Sequence, residues 1–159
     1  FEVVLFDVLD LRDTYPAVVQ KHFKKFEFIQ KAVWLHDRGV EVKGKKMAHV
    51  KEKGEADPHA VAIANDKRET WTIPSIDFAA WLQERYTAAD FVVVKMDIEG
   101  GEWEVLAHLL RTGAYKLIDE LMLECHPRVP GTGPLQIHQS CIDLANHMRN
   151  SGIATHLWF

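Results

Sequence analysis

Apolar and polar positions along this chain change period several times, and each change predicts an element. Phe91 to Val94 is a short apolar, β-branched run, the pattern of a strand buried on both faces. It ends in Asp97, Glu99 and the pair Gly100-Gly101, and from Trp103 the spacing becomes helical. Trp103, Leu106 and Leu110 fall on one helix face, with Val105 and Leu109 beside them. The stretch Asp90–Glu102 therefore predicts strand, acidic turn, helix.

The same reading covers the rest. Glu2–Asp7 predicts a buried strand ending in an acid, and Thr14–Phe26 a helix with Val18, Val19 and Phe23 inward and Thr14 as N-cap. Phe26–Trp34 predicts one further strand, Asp37-Arg38-Gly39 a turn, and Val40–Val42 a short strand. Residues 44–57 are dense in charge and poor in large apolar side chains, which predicts a surface loop or insertion. Ala60–Ala64 and Glu69–Ile73 predict paired outer strands. Pro74-Ser75 opens a helix through Tyr86, with Ser75 as N-cap and Phe78, Ala79 and Leu82 on its core side. Lys116–Cys125 contains another buried strand, ending at Glu124, and Arg128–Gly133 is a Pro/Gly loop. A helix from Pro134 has Ile137, Cys141, Ile142, Ala145 and Met148 inward and ends at Gly152. Ile153–Phe159 predicts a last strand. Strands alternating with helices argue for an α/β fold, a mostly parallel sheet with helices on both faces.

Length and charge narrow this only a little. At 159 residues the chain is one domain's worth, and 47% hydrophobic with 26% charged residues is ordinary globular composition. The formal net charge of −4 gives no electrostatic footprint for nucleic acid. No apolar run reaches membrane-spanning length. The two cysteines, Cys125 and Cys141, read as buried free thiols, one in a strand and one on a helix face. Neither belongs to a Cys/His ligand spacing, which argues against structural zinc.

The acidic turn is where chemistry concentrates. In open α/β sheets ligands bind outside the carboxyl ends of the strands, and Asp97 and Glu99 lie at such an end. A Gly-Gly turn before a helix can cradle phosphate, but three acids within six positions repel a polyanion. The turn suits a cation, a metal, or a hydroxyl that must lose a proton. Glu102 reads differently, as a carboxylate complementing the helix N-terminus.

The run Val-Val-Lys-Met-Asp-Ile-Glu-Gly-Gly-Glu-Trp-Glu-Val-Leu, residues 93–106, resembles the hallmark strand and turn of FkbM-type methyltransferases. Ile76-Asp77 resembles the apolar-aspartate pair that this family carries before its central strand, and Glu124-Cys125-His126 its "glutamate, any, histidine" ending of the fifth strand. The resemblance implies a Rossmann-like fold and S-adenosyl-L-methionine as cofactor. It also implies O-methylation of a sugar or small-molecule hydroxyl. Leu5-Phe6-Asp7 resembles the second strand, so Asp7 is expected to accept the cofactor's ribose hydroxyls. Ala32, in a segment resembling the third strand, is expected near the adenine.

The first strand and its glycine-rich turn should precede residue 2, so the family pattern predicts a partial domain, with its N-terminal part outside this sequence. His126 is the expected general base, because its ordinary pKa lies near neutrality. Asp97 would orient it, take the proton or stabilise the sulfonium, and Glu99 and Glu124 would bind substrate hydroxyls. Asp97, Glu99 and His126 can instead hold a divalent metal, a less favoured reading because magnesium and manganese prefer oxygen-rich sets. Two other functions share the pattern: a nicotinamide-dependent oxidoreductase, which also wants an acid such as Asp7, and a non-catalytic scaffold.

Overall fold

The computed structural model describes residues 2–8, 22–23, 25–44, 69–126 and 134–158. In chain order these form β1 (Glu2–Asp7), β2 (Lys25–Gln30), β3 (Ala32–Trp34), β4 (Val40–Gly44), β5 (Glu69–Ile73), β6 (Ser75–Asp77), α1 (Phe78–Arg85), β7 (Val93–Met96) and α2 (Glu102–Thr112). A 3₁₀ turn at Ala114–Leu117 leads to β8 (Glu120–Glu124), α3 (Pro134–Asn150) and β9 (Ala154–Trp158). The protein is mixed α/β. β1 pairs with β2, β3 with β6, and β7 with β8 with β9, all in parallel; β4 and β5 pair antiparallel. Among the described residues these are four separate ladders rather than one continuous sheet.

The core follows from the strand period. On β8, Leu121 and Leu123 are buried while Met122 between them is exposed. The buried pair lies in register with Val94 and Met96 of β7 and with Thr155 and Leu157 of β9. Onto this face pack Phe78, Ala79 and Leu82 of α1, Val105, Leu106 and Leu109 of α2, and Met148 of α3. Two crossovers of one hand that step in one direction put their helices on one face. Among the described residues, then, the helices cover a single face of β7-β8-β9, not both. β1 joins the same core through Phe6, which meets Phe78 and Trp81 edge-on at centroid distances of 5.9 and 4.9 Å. Arg85 of α1 reaches Glu2 of β1 at 2.7 Å and also pairs with Glu27 of β2, holding that ladder beside the helix.

Several boundaries differ from the pattern's prediction. The strand expected over Phe26–Trp34 is two strands, broken at Lys31, because β2 pairs with β1 while β3 pairs with β6. Its first residue is Lys25, inside the range expected to be helical. Ser75 is not an N-cap: it lies in β6, where its Oγ accepts from the Gly39 amide at 2.9 Å. Asp77 caps α1 instead, accepting from the Ala80 amide at 3.1 Å. Phe91 precedes β7 and is 69% exposed, and Val93 is also exposed, so the apolar run is not buried on both faces. Val93 pairs with Glu120, on the same side of the ladder as exposed Met122, the face that no helix covers among the described residues. In α3, Cys141, Ala145 and Met148 face inward as expected, but Ile142 is 40% exposed. Gly152 follows the helix with φ +100°, the left-handed geometry of a C-terminal glycine. Most of the helix expected over Thr14–Phe26, the loop after Gly44, the strand Ala60–Ala64 and the loop Arg128–Gly133 lie outside the described residues.

The cysteines are the plainest correction. Cys125 and Cys141 are joined in a disulfide rather than standing as free thiols. The spacing of 16 residues said nothing of this, because it depends on α3 folding back along β8.

Candidate functional site

The site begins where β7 ends. Met96 is buried and fixes the strand's end, and the chain then turns sharply before α2. Glu99 has φ +55° and Gly100 φ +99°, two consecutive left-handed residues. A glycine meets that requirement without cost, while a glutamate is strained there by about 1 kcal/mol. Gly101 stands in a tight spot: a Cβ would lie 3.2 Å from Trp34 Cζ3 and 3.3 Å from Ile98 Cδ1, so those side chains would have to shift.

Glu102 opens α2 and folds back into the turn. Its Oε1 accepts from the Ile98 amide and its Oε2 from the Gly100 amide, each at 2.9 Å. Oε1 also lies 2.9 Å from His126 Nδ1. Glu102 is 0% exposed, and a buried carboxylate is stable only with such partners. His126 follows β8, its carbonyl accepting from Trp103 Nε1 at 3.0 Å. Thus α2 holds both the ring and the backbone of His126.

Because Nδ1 faces a carboxylate, it carries the proton, and Nε2 presents the other end of the ring. Nε2 lies 3.5 Å from Glu99 Oε2 and 4.0 Å from Asp97 Oδ1. Burial pulls the His126 pKa down, but the hydrogen bond that Nδ1–H donates to Glu102, the charge of Glu102, and the charges of Glu99 and Asp97 outweigh burial. The net shift is upward from the ordinary 6.5. Asp97 also lies 4.0 Å from Lys95 Nζ. One ligand atom each from Asp97, Glu99 and His126 falls within 4.8 Å of the others. The corner can hold a proton, a cationic ligand or a metal ion.

The structure therefore brings together Asp97, Glu99 and His126, from the ends of two adjacent parallel strands. For the other expected site residues the structure gives their places in the strands. Glu124 ends β8 on the side of exposed Met122, and the bonds that organise the corner run through Glu102 instead. Asp7 ends β1 and Ala32 opens β3, strands that pair with β2 and β6 rather than with β7. Ala32 packs with Ile73, away from the main core. The reading of Glu102 as a mere complement to the helix dipole is corrected. It is the buried hub of the corner. A glutamate immediately after Gly-Gly was the available signal, since such a side chain can bend back onto the amides of its own turn, as in a capping box. The helical spacing of Trp103 predicts packing, and nothing in that spacing announces the bond to His126, 23 residues later.

No curated protein and no solved structure matches the chain. A family model described as a domain of unknown function, DUF7870, matches residues 14–159, and the chain belongs to that family.

Proposed function

We propose that the chain is the catalytic part of an S-adenosylmethionine-dependent methyltransferase of the Rossmann-like class, acting on a sugar or small-molecule hydroxyl. The observation that carries this is the corner at the ends of β7 and β8. It has two carboxylates and an imidazole whose outer nitrogen is aimed at them by a buried glutamate. The doubly wound arrangement is part of the proposal. β1 and β7 share one core through Phe6, Val92 and Met96, and their ladders would become one sheet with a strand between them.

The donor set fits a cationic cofactor. Asp97 and Glu99 are acids, with Lys95 at 4.0 Å from Asp97, and acids favour a positive charge within a few ångströms. When bound, the cofactor supplies a methyl group on a sulfonium. Every other part of the chemistry belongs to the chain. His126 Nε2, when unprotonated, accepts the acceptor's hydroxyl proton, and Glu102 on Nδ1 stabilises the resulting imidazolium. Asp97 and Glu99 hold that charge and the acceptor in place. Because the His126 pKa is raised, the base is stronger but is free only at higher pH. The rate should rise with pH through a value above 6.5.

One observation favours a second reading. The clustered ligand atoms of Asp97, Glu99 and His126, with Glu102 behind the histidine, match the carboxylate–histidine support of metal ligands. A divalent ion there would lower the acceptor's pKa directly.

Isothermal titration of the protein with S-adenosylhomocysteine, with NADH and with manganese separates the readings. Binding of S-adenosylhomocysteine, weakened in Asp97→Asn, supports the proposal. Binding of NADH alone replaces it with an oxidoreductase, binding of manganese alone with a metal site, and no binding with a scaffold.

A further inference from the structure

His126 is the first residue after the Cys125–Cys141 crosslink, and it is held from three directions. Glu102 holds its ring and Trp103 its carbonyl, both from α2. The disulfide holds the residue before it, from α3. The β8 ladder itself ends at Glu124, opposite Trp158. Cys125 and His126 therefore lie beyond the strand's own hydrogen bonds, and the disulfide is their covalent tie to the rest of the core. Cys141 is 1% exposed and anchored in α3, whereas Cys125 is partly exposed. The chain has no third cysteine, so no thiol of its own can exchange with this bond.

We propose that the Cys125–Cys141 disulfide is a redox-controlled clamp on His126, closed in the oxidised chain and opened by a dithiol reductant. The thiolate of the reductant attacks Cys125 Sγ, the sulfur of the less buried cysteine. The S–S bond breaks, and Cys141 leaves as a thiolate and takes a proton. The second thiol of the reductant resolves the mixed disulfide, releasing the Cys125 thiol and a cyclic disulfide. Two electrons pass from reductant to protein. With the tie gone, Cys125 and His126 keep the two α2 bonds and the packing of Cys125 on the core but lose their covalent restraint, and the geometry of Nε2 against Asp97 and Glu99 loosens. The consequence for activity, loss of an aligned base, rests on the proposed function; the clamp itself does not.

Hydrogen exchange of the ¹⁵N-labelled chain tests this. Trp103 Nε1–H reports the bond to His126, and the Leu106 and Leu121 amides report the core. On adding dithiothreitol, Trp103 Nε1–H should exchange at least tenfold faster, with the core amides unchanged and reoxidation reversing the effect. The double variant Cys125→Ser, Cys141→Ser should exchange like the reduced chain and ignore the reductant. An unchanged Trp103 rate would overturn the clamp. So would equal acceleration of Leu106 and Leu121, since the bond would then be a staple for the whole fold. If S-adenosylhomocysteine fails to bind but the Trp103 rate responds, the functional proposal falls and the clamp stands.

Discussion

Glu102 Oε1 sits 2.9 Å from His126 Nδ1, and through this contact a fully buried carboxylate joins the start of α2 to the end of β8. The same carboxylate closes the turn by taking the Ile98 and Gly100 amides. Glu102→Gln keeps size and shape but replaces one acceptor oxygen with a donor. One of the three N–H groups then loses its partner in a buried site, which costs about 1–3 kcal/mol. Chemical denaturation should show that loss, with the His126 pKa moving down as its largest upward influence goes.

The raised pKa of His126 makes stability depend on pH. The folded chain binds the proton more tightly than the unfolded chain, so this contribution is fully present below about 6.5. It is lost as pH rises through the higher folded value. Melting temperatures measured across that window should fall with rising pH, and His126→Gln should remove that part of the slope.

Glu99 has a left-handed backbone that suits glycine, with φ +55°. Its side chain is one of the two that face His126 Nε2. Glu99→Gly should therefore leave stability within about 1 kcal/mol of the parent, on the favourable side, because relief of strain offsets the lost contact. In a transfer assay the same variant should be slower. Stability gained together with activity lost is the signature of a strained functional residue.

How much of this was legible in the sequence depends on the range of the forces involved. The order strand, turn, helix over Asp90–Glu102 and beyond followed from local period, although the strand lies at Val93–Met96 rather than Phe91–Val94, and Asp97, Glu99 and His126 do meet. The core face of α1 was legible for the same reason, as were Cys141, Ala145 and Met148 of α3; Ile142 was not, and the side chain of Ile137 lies outside the described residues. What failed was set by partners distant in the chain. Lys31 breaks a strand because β2 and β3 have different neighbours, and the run from Phe91 is not buried on both faces because it starts before β7 and Val93 lies on the side of exposed Met122. Glu102 looked like a helix-end charge because its amide partners are local but its histidine is 24 residues away. Cys125 and Cys141 looked like separate thiols because only the folded chain brings Cys141 of α3 beside the residue that follows β8.

The central claim is that the acids after β7 and the imidazole after β8 face a cationic methyl donor. The most direct measurement is an NMR titration that follows the His126 ring nitrogens as S-adenosylmethionine is added to the protein. The account predicts a saturable shift of the Nε2 resonance, with Nδ1 still protonated against Glu102, and loss of the Nε2 shift in Asp97→Asn. Binding that leaves Nε2 unmoved, or no binding at all, would contradict it.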